Sequence, residues 1–147
     1  MNYENLKLLR DWHANNNVPF SMEFYRSSNG KSCDFYSLED CGTCGCALGC
    51  APFIPGLQVI PEDFVYYSLS WEAYKNRILS HPSRVVFCWL FAGDWAKNYN
   101  TQQDFVMRCD VLLLYRQKFI DFLEKSDVSC DMVEDYESIL EKFPINE

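Results

Sequence analysis

Apolar residues recur three and four positions apart over much of this chain, the spacing that gathers them on one face of an α-helix. Over residues 3–14 the repeat is Leu6, Leu9 and then Trp12 or His13, and Asn15-Asn16-Asn17 supplies a C-cap and turn. Ser70 can cap a helix running to Leu79, which ends before His81-Pro82 because the residue ahead of a proline is pushed out of helical geometry. Ser83 can cap the next, with Val85, Val86, Trp89 and Leu90 as a buried stripe extending toward Trp95. Thr101 and Asp104 resemble a capping box with Asp in place of Glu. Behind them Phe105, Cys109, Leu112, Phe119 and Leu123 mark the clearest amphipathic helix of the chain. Ser129 can open a last helix with Met132, Val133, Tyr136, Ile139 or Leu140, and Phe143 on one side, and Pro144 stops it.

Period-two alternation is rarer. Residues 18–26 are extended in character, with Phe20, Met22 and Phe24 alternating with smaller or polar residues, and Ser27-Ser28-Asn29-Gly30 forms a turn cluster. A small strand pair between Phe20 and Phe35 fits this stretch. The expected fold is therefore mainly α, an α+β chain with at most a small two-stranded element. With 147 residues and no linker or repeat, residues 1–147 make one compact helical domain.

Composition supports a packed core, since 48% apolar and 23% charged residues lie near the globular average. The longest strictly apolar run, Val85 to Ala92, is eight residues, too short to span a bilayer. The start shows no apolar core with a cleavage site, so no signal peptide and no membrane association are expected. The net charge of -8 is unevenly placed: residues 1–120 carry -1 and residues 121–147 carry -7. Residues 126–147 thus read as an acidic C-terminal amphipathic helix. Its Asp127, Asp131, Glu134, Asp135, Glu137 and Glu141 suit either a solvated face or a docking element for a basic partner. No helix carries a basic stripe, so direct nucleic-acid binding is not expected.

Eight cysteines stand at 33, 41, 44, 46, 50, 88, 109 and 130. Without an export signal they read as mostly free thiols in a reducing compartment, with Cys88 and Cys109 as small hydrophobes in apolar helical patterns. Residues 40–52 pack four cysteines and three glycines together. As a helix opening at Thr43, this stretch places Gly45 and Gly49 on one strip, a core helix lined by small residues. A second reading joins Cys41, Cys44, Cys46 and Cys50 around zinc, although such sites usually draw a second ligand pair from a dozen or more residues away. A third is thiol chemistry at the Cys41/Cys44 pair, with His13 or His81 as the only histidines to assist.

The run CGTCGCALGCAP, following an NLKLLRDW helix and an FSMEFY segment, resembles a family of small phage and prophage proteins with no assigned activity. That family carries a CGT-x-x-C-x-x-G-H signature followed by Gly or Ala and Pro. Cys41, Gly42, Thr43, Cys46, Gly49 and Pro52 match it, Cys50 stands where the pattern has His, and Cys44 is not a signature position. The downstream WLFAGDWAKNYNTQQDFVMRCDVLLLY is also similar, so the likeness covers residues 4–116. It implies a phage-encoded accessory protein working in the host bacterial cytoplasm.

Function at this stage divides by class. The leading expectation is a non-enzymatic protein that binds a host bacterial protein, for instance an inhibitor of a defence complex with a basic nucleic-acid-binding surface, through carboxylates presented where phosphates would lie. The first rival is a metal- or thiol-dependent module centred on residues 41–50. The second is a protein that sequesters a small molecule in a pocket lined by Trp71, Tyr74, Trp89 and Trp95. Glu62-Asp63 and Asp94 lie in apparent loops, but no phosphate-binding glycine motif accompanies them.

Overall fold

In the computed structural model the described residues are 1–18, 20, 26–28, 31–32, 43–65, 68–91, 101–126 and 136–145. Helix α1 spans Tyr3–Asn15, α2 Ala47–Cys50, α3 Trp71–Leu79, α4 Arg84–Phe91, α5 Gln102–Lys125 and α6 Tyr136–Lys142. The chain is mainly α, as its apolar periodicity implies.

Local capping explains where these helices begin. The Asn2 side chain accepts from the Asn5 amide to open α1, and the Ser70 hydroxyl accepts from the Ala73 amide to open α3. Thr101 and Asp104 form the reciprocal box at α5: Thr101 Oγ1 accepts from the Asp104 amide at 3.1 Å, and Asp104 Oδ2 accepts from the Thr101 amide at 2.9 Å. Helix α3 ends on two residues with left-handed backbone, Ser80 (φ 55°) and His81 (φ 53°). Their amides both return to the Asn76 carbonyl, closing the helix end.

The small β structure is larger than a two-stranded element. Strand β1 (Arg26–Ser28) pairs antiparallel with β2 (Lys31–Ser32) on one side and β3 (Thr43–Gly45) on the other. Strands β4 (Phe64–Val65) and β5 (Ser68–Leu69) form a separate antiparallel pair. The helix expected to open at Thr43 therefore opens later. Residues Thr43, Cys44 and Gly45 pair with Ser28, Ser27 and Arg26, and helical geometry begins only after Cys46. Gly45 and Gly49 consequently sit in different elements and share no strip. The small-residue core survives in another form, since every residue from Cys46 to Pro52 is buried.

The core lies where α1, α4 and α6 meet α5. Trp89 of α4 contacts Phe119 edge-on at 4.9 Å and stacks on Tyr136 of α6 at 5.6 Å, while its indole N–H donates to the Arg108 carbonyl at 3.0 Å. Phe143 contacts Tyr115, Phe119 and Phe122 at about 5 Å each. Each such aromatic pair adds about 0.5–1.5 kcal/mol beyond the area it buries. The acidic last helix thus packs in cis through Tyr136, Ile139 and Phe143.

Helix α1 is tied to α3 and α5 by polar contacts. Asn5 Nδ2 donates to the Ile78 carbonyl at 2.7 Å, and Arg10 forks onto both oxygens of Asp110 at 2.7 and 3.1 Å. Helix α5 is broken at Arg116, whose backbone (φ 47°, ψ −124°) is far from helical. Its guanidinium lies 5.1 Å from the Tyr3 ring centroid, so the break faces α1.

A concave face between α5 and α6

Two open concavities flank the start of α5, and Gln103 touches both. The first, of about 720 Å³, is polar and lies between the end of α1 and the first turn of α5. Its lining includes His13, Asn15, Asn16, Asn17, Thr101 and Gln102. Here the side chains largely satisfy one another. Gln102 Nε2 donates to His13 Nδ1 at 2.9 Å and to the Asn16 carbonyl at 2.7 Å, and the Asn15 and Asn16 carboxamides donate back to the Asp11 and Trp12 carbonyls. A His13 Nδ1 that accepts leaves the proton on Nε2, which lies 3.4 Å from the Ala47 carbonyl. Burial pushes the imidazole down from 6.5 to about 4, so it is neutral at physiological pH. Trp12, Phe20 and Phe105 pack edge-on around the ring.

The second concavity, of about 800 Å³, runs between α5, α6 and the residues after α6. Six of its nine lining residues are apolar: Met107, Leu113, Leu114, Leu140, Phe143 and Ile145. Leu114 is 59% exposed, the most solvent-exposed large apolar side chain among the described residues. Arg10 and Asp110 also line it and neutralise each other. Glu137 and Glu141 are exposed on α6, and Glu137 lies one turn before the groove residue Leu140. The groove's lining is thus mostly apolar, and neither glutamate is part of it.

Of the residues singled out for partner binding, Glu137 and Glu141 are exposed on α6, whereas Asp127, Asp131, Glu134 and Asp135 lie outside the described residues. The groove itself escaped sequence reading. Met107 and Leu114 are one helical face of α5 at i and i+7, but only the arrival of α6 beside them makes a concavity.

The cysteine segment is divided by the fold. Cys46 and Cys50 are free, buried thiols, Cys44 stands in β3, and Cys41 lies outside the described residues. Burial pushes the Cys46 thiol up to about 11, against a smaller opposite pull from the nearby Gly49 and Leu48 amides. Among the described residues no three His, Cys, Asp or Glu side chains gather as a metal's ligands would. The fold does bring one histidine to this segment, since His13 faces Ala47. A thiolate–imidazolium pair needs the thiol lowered and the imidazole raised; here Cys46 and His13 are moved the opposite way.

Cys109 is free and fully buried, the small hydrophobe that its position in the repeat implies. Cys88 departs from its reading as a free thiol, because it is disulfide-bonded. Its partner is none of Cys46, Cys50 and Cys109.

Of the aromatic residues considered for a ligand pocket, the described ones line neither concavity. Tyr74 and Trp89 are core residues at 0% and 1% exposure, Trp71 packs on Tyr74 at 6.1 Å, and Trp95 lies outside the described residues. Asp63 is also structural: its carboxylate accepts from Arg77 Nε at 3.0 Å and from the Ile60 amide at 3.1 Å. Asp94 lies outside the described residues. No helix among the described residues is long and apolar enough to cross a membrane. Set against protein-family models, curated proteins and solved structures, the chain matches none.

Proposed function

We propose that this chain is a non-enzymatic protein-interaction module whose acidic α6 face engages a basic partner. One observation carries the reading: α6 spends its apolar side on the core and turns Glu137 and Glu141 to solvent beside an open groove. A solvated acidic helix needs no groove next to it. The -7 charge that the sequence carries over residues 121–147 also favours a cationic partner. The likeness of residues 41–52 and 89–115 to phage and prophage proteins supports a phage origin. On that reading the chain works in the host bacterial cytoplasm, and a defence complex with a basic nucleic-acid-binding surface is the class of partner.

The test is charge reversal. Removing α6 would uncover Trp89 and Phe119, so truncation confuses folding with binding. The double variant Glu137→Lys/Glu141→Lys changes only exposed positions. In pull-downs from bacterial lysate, the partner held by the natural chain should be released by raised salt and lost by the double variant. Recovery that is indifferent to both sinks the charge mechanism.

A further inference from the structure

We infer that α5 is a two-state helix hinged at Arg116, in which the broken form exchanges with a continuous one and Arg116 sets the balance. The break lacks the usual causes of a sharp kink, since residues 102–125 contain neither proline nor glycine. Arg116, Gln117 and Lys118 are among the better helix formers. Yet Arg116 holds φ 47° and ψ −124°, a backbone that a residue with a Cβ adopts only under strain.

The apolar pattern describes the other state. Phe105, Cys109 and Leu112 are buried before the break, and Phe119 and Leu123 are buried after it. At about 100° per residue these five keep one phase, and the seven-residue step from Leu112 to Phe119 passes through position 116. An unbroken helix therefore sets Arg116 in the middle of the buried stripe. The break takes it out. Arg116 is exposed, its guanidinium lies 5.1 Å from the Tyr3 ring centroid, and its Nε donates to the Leu113 carbonyl at 3.4 Å. Two costs thus oppose each other at one residue. The broken form strains the backbone, and the continuous form draws a cation toward the core. The contact with Tyr3 tips the balance to the broken form. Because both costs fall on the same side chain, changing that residue alone moves the equilibrium.

The hinge carries one wall of the groove with it. Phe143 of α6 contacts Tyr115 just before the break and Phe119 and Phe122 beyond it. The Tyr115 hydroxyl also donates to the Pro144 carbonyl at 2.7 Å. The groove is lined by α5 only as far as Leu114, and by Leu140, Phe143 and Ile145 across from it. Straightening α5 turns Tyr115 relative to Phe119, so Phe143 must give up one side and the groove changes shape. A ligand that fits one shape better shifts α5 toward that form.

Carbon-13 and amide NMR of the intact chain and three variants tests the hinge. In the natural chain the Cα shift of Arg116 should be non-helical. Relaxation dispersion, or a second set of peaks, should appear from Leu113 to Phe119 and at Leu140 and Phe143. Arg116→Gly accepts the left-handed backbone and should quench this exchange with the break kept. Arg116→Leu completes the apolar stripe and should quench it the other way. Helical shifts should then run unbroken through position 116, and amide exchange from Gln117 to Phe119 should slow on the order of tenfold or more. Tyr3→Leu removes the ring beside the guanidinium and should enlarge the minor population.

A natural chain with no exchange around Arg116 overturns the inference. So does a folded Arg116→Leu chain that keeps a non-helical shift at position 116. If Arg116→Leu fails to fold, Arg116→Gly decides: exchange that persists there unchanged overturns the hinge, and its loss there supports it.

Discussion

The two concavities beside α5 differ in how they treat their own side chains. In the polar one Gln102, Asn15 and Asn16 spend their N–H groups on His13 and on backbone carbonyls a few residues away. Those bonds lock the end of α1 to the start of α5. In the apolar one Leu114 faces solvent and nothing in the fold covers it among the described residues. Similar volumes thus have opposite meanings. A hollow whose groups are mutually satisfied is a joint, and a hollow that keeps apolar surface open to water is a place for something else to sit.

The largest break in this contrast should come from beneath the apolar groove. Phe119→Ala removes the ring that touches both Trp89 and Phe143, so α6 loses its anchor and the groove its second wall. Truncating a buried Phe costs about 3–5 kcal/mol. Urea unfolding should show a loss of that order; a loss below about 1 kcal/mol would mean α6 is held elsewhere.

The polar joint breaks with acid. Its His13 has a folded pKa near 4 against an ordinary 6.5. The unfolded chain therefore binds the proton more tightly. The joint's contribution is full above pH 6.5 and is lost as pH falls toward 4, after which this group adds no further loss. At about 1.4 kcal/mol per pK unit the total is roughly 3 kcal/mol. Most carboxylates titrate below about pH 5, so the fall between neutrality and that point reports His13. Replacing it, as in His13→Gln, should flatten the pH dependence in this window; a variant that retains the full slope contradicts the assignment.

A smaller effect tests the break in α5 that lies between groove and core. Arg116 holds φ 47° and ψ −124°, a backbone that glycine adopts without strain. Its stacking on Tyr3 offsets part of that cost. Arg116→Gly should raise stability by about 1 kcal/mol in denaturant unfolding. Destabilisation instead would show that the Tyr3 contact outweighs the backbone strain.

These elements were not equally legible. Caps are local, so Ser70, Thr101 with Asp104 and the stop before His81-Pro82 could be read from a few neighbouring letters, and the structure has them. The apolar repeat of the last helix, Tyr136, Ile139 and Phe143, also foretold a packed face. The repeat in α1 left Trp12 and His13 equivalent. Tertiary packing chose His13, which is 3% exposed. Thr43–Gly45 became a strand because β1, far earlier in the chain, offers it a backbone partner. Nothing around Arg116 announces a break, since Tyr-Arg-Gln-Lys is ordinary helical sequence. The groove needed two helices side by side, which no single periodicity encodes.

The least effect on stability should come from the exposed side of the apolar groove. Leu114→Glu adds a charge at an exposed site and should change stability by no more than about 0.5 kcal/mol. A larger loss in thermal or urea unfolding would make Leu114 part of the core rather than part of a surface.

The most direct measurement is a map of which concavity a ligand fills. Two-dimensional amide NMR of the labelled chain, titrated with a basic amphipathic Leu/Lys peptide as a stand-in for the partner, reads both at once. Shifts should cluster on Met107, Leu114, Leu140 and Ile145 and leave Asn15, Asn16 and Gln102 unmoved. Shifts centred on the His13 joint, or scattered over acidic positions with none at Leu114, would contradict the account.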